Sequence, residues 1–420
     1  MNRIQAFFAG HFPAFTSRDY AIFWIGQFIS VIGTWMQNTT LPYLAYQITG
    51  SSLDLGFIGF ATTLPMLFLA MPAGVLVERW DKRKTVIAMQ SVMMLQALTL
   101  ASLTLSGRIQ IWHITLLAFV LGTASAIEIT ARQAMLIELV GRQALPNAIA
   151  VQTTAFNLGR VIGPSLAALL LTLQHGAGLV FLSNGISYLF VIGGLFLVRT
   201  RHRVREEADV HRNLLAEFSE GQRYIRQNSL VAQIIIMMAV VGFFGFPLLQ
   251  QIPALAKDVL AQVGDSDQIV ATRNSALYTA QGVGALAAAF SVAFFTSYKK
   301  KGLWLTFGQA AFVLALIALS FMRTALPAYP LLALIGWGTV TQLAIMNVLI
   351  QVQVPNGLRG RVFSTYLWAI QGVAPFGSLL IGWMSQTWGV PRTILICGAI
   401  CLLILSAMHL VNPNIRSSQA

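Results

Sequence analysis

The feature that most constrains this chain is a succession of apolar runs from about Tyr20 to Val411, each near the length needed to cross a bilayer. A spanning helix needs about 20 mostly apolar residues. Twelve segments meet that test. They are 19–48, 53–77, 85–106, 111–139, 145–173 and 177–198, then 229–256, 270–296, 302–322, 327–352, 361–387 and 391–411. In lipid every backbone N–H and C=O must be paired within the protein, which leaves helices or a closed barrel. The alternating pattern of a barrel is absent, so the expected fold is an all-α membrane protein with twelve transmembrane helices. Only 10% of the 420 residues are charged, too few for the surface of a soluble protein of this size. Met1 to Ser17 has no long apolar core and no small-residue cleavage site, so the first membrane helix is expected to be the targeting signal.

A net charge of +13 raises the question of nucleic acid. The distribution of the charge argues against it, because basic residues gather in alternate loops. One set of loops carries Arg3, Arg18, the cluster from Arg79 to Lys84, Arg142, the residues from Arg199 to Arg226, Lys299 to Lys301, Arg359, Arg361 and Arg416. The opposite set carries only Arg108, Lys257, Arg273, Arg323 and Arg392. The positive-inside rule then puts both termini in the cytoplasm of a cell whose inner membrane holds the chain. The one long polar stretch, 199–228, divides the sequence into a first bundle (1–198), a cytoplasmic linker and a second bundle (229–420). Within the linker Leu214, Leu215, Phe218 and Ile225 follow helical spacing between charges, which predicts an amphipathic helix on the inner membrane face. Leu145 to Gly159 and Leu358 to Gly372 share a spacing and are followed by Pro164 and Pro375. Six segments plus six with faint similarity is the pattern of a duplicated transporter, two six-helix pseudo-repeats.

Ionisable side chains inside a bilayer are costly and mark candidate functional sites. Glu128 lies about 12 residues from the inner end of the fourth segment, ~18 Å deep at 1.5 Å per residue. Arg160 lies about 15 residues into the fifth, ~22 Å deep. Arg132 is one turn from Glu128 on the same face. The expectation is one carboxylate shared by two guanidinium groups. Competition between arginine and a proton for Glu128 would provide coupling or substrate contact, and a static pin between the two helices is the plainer alternative. Other polar residues in apolar segments are Gln27, Asn38, Asn157, Gln250, Gln251, Gln281, Gln342, Asn347 and Gln371. Cys397 and Cys401 are read as small apolar residues. The six histidines are scattered, mostly at loops or helix ends. No phosphate-cradling loop, metal-ligand cluster or nucleophile–base pair is recognisable, so no cofactor, metal or enzymatic activity is expected.

The turn PAGVLVERWDKRK, Pro72 to Lys84, resembles the signature between the second and third helices of the major facilitator superfamily, in Gly74, Glu78, Arg79, Lys82 and Arg83. Glu78 stands where Asp is usual and Asp81 where Gly is usual. An ordered set of further stretches resembles the secretion and efflux branch that includes enterobactin exporters and macrolide pumps. These stretches are Gly26-Gln27, Ile32 to Gln37, Tyr46 to Ser51, Leu64-Pro65, Ala131 to Ala134, Glu138 to Val140, Arg160 to Pro164, Arg359 to Val362 and Pro375 to Gly377. Thr130 departs from the proline frequent there. Gly159, Gly163 and Pro164, followed by Ala167-Ala168, resemble the exporter signature of the fifth helix. The resemblance implies a monomeric secondary transporter that exports a small organic molecule, a siderophore or amphipathic drug, against protons by alternating access. It further implies cavity-lining positions at Asn38, Gln250 and Asn347. It implies an inner gate of Gly74, Glu78, Arg79, Arg83 and Glu138, with Glu78 capping the eleventh helix and Arg83 reaching Glu138. An importer, or a membrane sensor or assembly partner without transport, are the competing readings.

Overall fold

Residues 12–198, 214–294, 301–355 and 357–411 are described by a computed structural model. Helix accounts for 90% and no strand occurs among the described residues. A 3₁₀ turn at Pro13–Thr16 leads into α1 (Arg18–Thr49), α2 (Ser52–Arg79), α3 (Lys82–Leu105), α4 (Ile111–Leu171) and α5 (Gly176–Leu197). The short α6 is Leu214–Gln227 and α7 is Ser229–Val240. Then come α8 (Asp267–Phe294), α9 (Lys301–Ser320), α10 (Ala325–Gln353), α11 (Arg359–Gln371), α12 (Ala374–Trp388) and α13 (Val390–Val411).

Among the described residues ten helices are long and apolar enough to cross a membrane, against twelve expected segments. Two causes are visible. Helix α1 is not among the ten, and Gln27, Gln37, Asn38, Thr39 and Thr40 interrupt its apolar character. The expected fourth and fifth segments run together as α4, whose 61 residues would reach ~92 Å as one rod, three times a bilayer core. Gly141, at φ 72 and ψ 172, breaks it into two arms. That backbone region is open essentially to glycine alone. Both arms are tied to the first helix and its lead-in: Ser17 Oγ donates to the Leu139 carbonyl beside the break at 2.9 Å, and the Tyr20 hydroxyl to the Ala148 carbonyl of the second arm at 3.2 Å.

The chain forms two compact units, 1–48 with 64–206, and 49–63 with 207–420, so α2 contributes its first part to the second unit. The first unit has an apolar core of Tyr20, Phe23, Val86, Met135, Leu136 and Leu195. Beside it runs a buried amide chain. Asn184 Nδ2 donates to Gln37 Oε1 at 2.9 Å, and Gln37 Nε2 donates to Gln96 Oε1 at 3.1 Å. It ties α5, α1 and α3 together where lipid offers no competing partners.

In the second unit α7 continues through wide turns. A π turn at Val241–Gly245 precedes Phe246–Leu249, and a second follows at Leu255–Val259. Pro253 supplies no N–H, so the carbonyl four residues earlier, Leu249, loses its helical donor. The Tyr278 hydroxyl of α8 donates to that carbonyl at 3.0 Å. Ser52 packs in the same unit: its N–H donates to Gln386 Oε1 at 2.8 Å, and its carbonyl accepts from Gln251 at 3.2 Å. The expected amphipathic helix is α6, with Ile225 buried. The side chains of Leu214, Leu215 and Phe218 lie outside the described residues, as do 199–213. Glu220 of α6 pairs with Arg361, and Gln222 Nε2 donates to Thr365 Oγ1 at 2.8 Å, so α6 is pinned to α11. His409 is more than a helix-end residue. It is buried, with its Nε2 2.8 Å from Gln309 Oε1. Cys397 and Cys401 are free, buried thiols, as a reading of small apolar residues requires.

The loop before α8 carries one pH-sensitive clip. Asp265 accepts from the Gln262 backbone N–H at 2.7 Å and pairs with Arg273 at 2.5 Å. The Gln262 N–H, and then Arg273, hold its carboxyl below the usual carboxylate range. A depressed folded-state pKa stabilises the clip above the unfolded-state value of about 3.9, and that stability is lost as pH falls through the lower folded value. Amide exchange across 256–265, corrected for its intrinsic rate, is therefore expected to quicken on acidification below about pH 4. Asp265→Asn should exchange quickly at every pH.

Candidate functional site

The first ionisable centre is built from α3 and the first arm of α4. Helical spacing puts Arg132 four residues from Glu128, and Arg132 Nε donates to Glu128 Oε1 at 3.0 Å. From α3, Gln90 Nε2 donates to the same oxygen at 3.1 Å. Glu128 is only 4% exposed and Gln90 is buried, so this carboxylate is held by fixed donors and not by bulk water. A buried ion pair is poor evidence for stability, since desolvation offsets much of its attraction. It is a better candidate for a group that exchanges partners. Gln90 Oε1 is buried with no hydrogen bond, which leaves a polar atom without a partner beside the carboxylate.

Arg160 is not the second guanidinium on Glu128. Among the described residues no ion pair joins them, and Gln90 occupies the place expected of Arg160. The cause lies in the glycines of the fifth-segment signature. A Cβ at Gly159 would lie 2.6 Å from Val31 Cγ1, and one at Gly163 would lie 2.5 Å from Trp35 Cβ and 2.9 Å from the Ile32 carbonyl. Their absence lets the second arm of α4 press onto α1. Arg160, next to Gly159, is carried onto α1 with it, and its guanidinium sits 5.2 Å from the Trp35 ring centroid. It is 9% exposed, and its Nε is buried without a hydrogen bond. Trp35 is met edge-on by Phe156, with ring centroids 5.3 Å apart. Pro164 is buried four residues beyond Arg160 and cannot donate to its carbonyl.

The inner turn differs from expectation in one contact. Lys82, not Arg83, pairs with Glu138, at 2.8 Å. Arg83 instead donates through Nε to the Leu195 carbonyl at 2.7 Å and through Nη2 to that of Phe196 at 3.1 Å. These are among the last carbonyls of α5, which have no helical donors and carry the negative end of the dipole. Adjacent residues on a helix point about 100° apart, so only one of the two cations can face α4. Asp81 caps α3, its side chain accepting from the Lys84 N–H at 2.9 Å. A carboxylate at a helix start is favoured in hydrogen bonding and charge alike. Of Gly74, Glu78 and Arg79 only the helical backbone is described, so their gate contacts lie outside the described residues.

Of the expected lining positions, Asn38 is exposed on α1, while Gln250 and Asn347 are half-buried. Asn347 Oδ1 accepts from Gln351 at 2.5 Å. Gln342, on α10, is the more unusual residue, fully buried with neither amide atom bonded. Sequence reasoning missed Gln90, although an amide in the middle of an apolar segment was the available signal.

A family model described as transmembrane secretion effector matches residues 9–420. The chain is 24% identical over 396 residues to the multidrug efflux pump Tap of Mycolicibacterium fortuitum, covering 91% of this chain and 93% of that protein. It is 24% identical over 403 residues to the staphyloferrin A transporter of Staphylococcus aureus, covering 94% and 96%. It is likewise 24% identical over 402 residues to the enterobactin exporter EntS of Shigella flexneri, covering 94% and 92%. Among solved structures, a bacterial homolog to the human lysosomal transporter Spinster superposes with a TM-score of 0.75 at 14% identity. That match covers 96% of this chain and 98% of the other. The nucleoside transporter NupG gives 0.73 at 11% identity, covering 93% and 98%. These two matches speak for the fold alone.

Proposed function

Because the chain belongs to the transmembrane secretion effector family of the major facilitator superfamily, we propose that it is a secondary active exporter of a small organic molecule. Efflux pumps and siderophore exporters among its relatives support that direction and the breadth of substrate class. The chain crosses the bacterial inner membrane twelve times in two six-helix halves, both termini cytoplasmic, and works as a monomer by alternating access. Protons drive it. The observation that carries the coupling is Glu128, a buried carboxylate whose one oxygen is ligated by Gln90 and Arg132. A proton arriving there displaces Arg132, and a rearranged Arg132 returns the proton. The inner turn, through Lys82–Glu138 and the signature residues Gly74, Glu78 and Arg79, acts as a gate and not as a substrate site. No catalytic step is assigned to any residue.

The test is proton release from acidified inside-out vesicles on adding a siderophore, a macrolide or a cationic dye. Release with one class establishes proton-coupled export and names the substrate. Silence with every class, in vesicles that contain folded protein, counts against the reading.

A further inference from the structure

A guanidinium buried in a membrane helix without an anion is an expensive arrangement, and such groups are rare outside functional sites. Arg160 is one. It is nine-tenths buried, its Nε has no hydrogen bond, and no carboxylate pairs with it among the described residues. The buried acid of this unit, Glu128, is already engaged by Gln90 and Arg132. Trp35 supplies partial compensation through its ring face, 5.2 Å from the guanidinium carbon. Among the described residues no hydrogen bond or ion pair engages its N–H groups, the planar fork that matches a carboxylate with two parallel hydrogen bonds. Trp35 is also met edge-on by Phe156, which lies four residues before Arg160 on the same arm and is half-exposed.

We propose that Arg160, Trp35 and Phe156 form a subsite for the anionic head of a planar organic anion, an aromatic carboxylate or phenolate, whose ring lies along the two aromatic side chains. The inference rests on the export reading, since it names the chemical class that such an exporter selects. The missing counter-charge of Arg160 comes from the cargo. Glu128 is then the proton site and Arg160 the cargo site, two groups with separate partners. Arginine is required here for its fork as well as its charge, so lysine is only a partial substitute.

The experiment is equilibrium binding of radiolabelled 1-naphthoate to the purified full-length protein in lipid nanodiscs, with no gradient. 1-Naphthylmethylammonium and 1-naphthalenemethanol serve as ring-matched competitors. Saturable naphthoate binding is expected that neither competitor displaces at equal concentration. Arg160→Gln should weaken it at least 10-fold, Arg160→Lys less, and Trp35→Leu should weaken it while leaving the preference for the anion intact. Equal competition by the cation or the alcohol overturns the proposal. So does unchanged affinity in Arg160→Gln, or no saturable naphthoate binding to folded wild-type protein. The comparison of ring compounds on wild-type protein needs no variant to fold. Because no proton gradient is present, anion-selective binding with silent vesicles would leave the subsite standing and remove proton-coupled export. The reverse pattern would remove the subsite alone.

Discussion

Glu128→Gln is expected to reduce substrate-driven proton release to background while substrate counterflow continues. The amide has the length of the carboxylate, and its oxygen can still accept from Gln90 and from Arg132, the two donors at 3.1 and 3.0 Å. It cannot bind and release a proton in a working range. Losing the charge assistance of these bonds should cost about 2 kcal/mol of stability. Glu128→Ala, which strands Arg132 in the helix bundle, should cost about 3–5 kcal/mol. The two variants therefore separate coupling from folding. Normal proton stoichiometry in Glu128→Gln would reduce Glu128 to a static pin, through Gln90, between α3 and α4.

The largest effect on stability is expected from glycines far from any charge. Helices α8 and α10 approach through a reciprocal pair. A Cβ at Gly284 would fall 1.7 Å from the Ala333 carbonyl oxygen, and one at Gly336 would fall 2.0 Å from that of Gln281. The obstructing atoms are backbone, so no rotamer change relieves the clash. The helices must separate. Gly284→Ala and Gly336→Ala should each destabilise by about 3 kcal/mol or more, at the upper end of overpacking effects. In thermal unfolding of detergent-solubilised protein this appears as a large fall in Tm or as failure to accumulate. Gly193, whose Cβ would meet nothing within 4 Å, is the control. Gly193→Ala should be neutral or slightly stabilising, by up to about 1 kcal/mol through helix propensity. If Gly284→Ala melts with the wild type, the close approach of α8 and α10 is wrong.

What the sequence made legible was whatever one helix determines by itself. The Glu128–Arg132 pair follows from a spacing of four, and the kink-prone sites follow from proline. What it hid were choices between neighbours on different helices. Nothing in the period of α3 says that Gln90 faces Glu128, because cross-helix register is set by packing. Lys82 and Arg83 are equally basic and adjacent, and only the rotation of α3 decides that Lys82 meets Glu138 while Arg83 caps α5. The glycines at 159 and 163 were visible as a small face, yet their consequence for Arg160 required knowing that the face meets α1 at Trp35. The repair of the Pro253 break by Tyr278, across to α8, was hidden for the same reason.

Gly141 carries a final consequence. It is exposed, and a Cβ added there would touch nothing within 4 Å. By every measure of crowding it is a free position. Its backbone at φ 72 and ψ 172 nevertheless excludes side-chain-bearing residues. In a library of all substitutions this site would look like the core. Every replacement would disturb the break at which α4 passes from one arm to the other. Intolerance at such a spot would be misread as a binding surface by anyone ranking positions on contacts, when the constraint is written in a single pair of torsions.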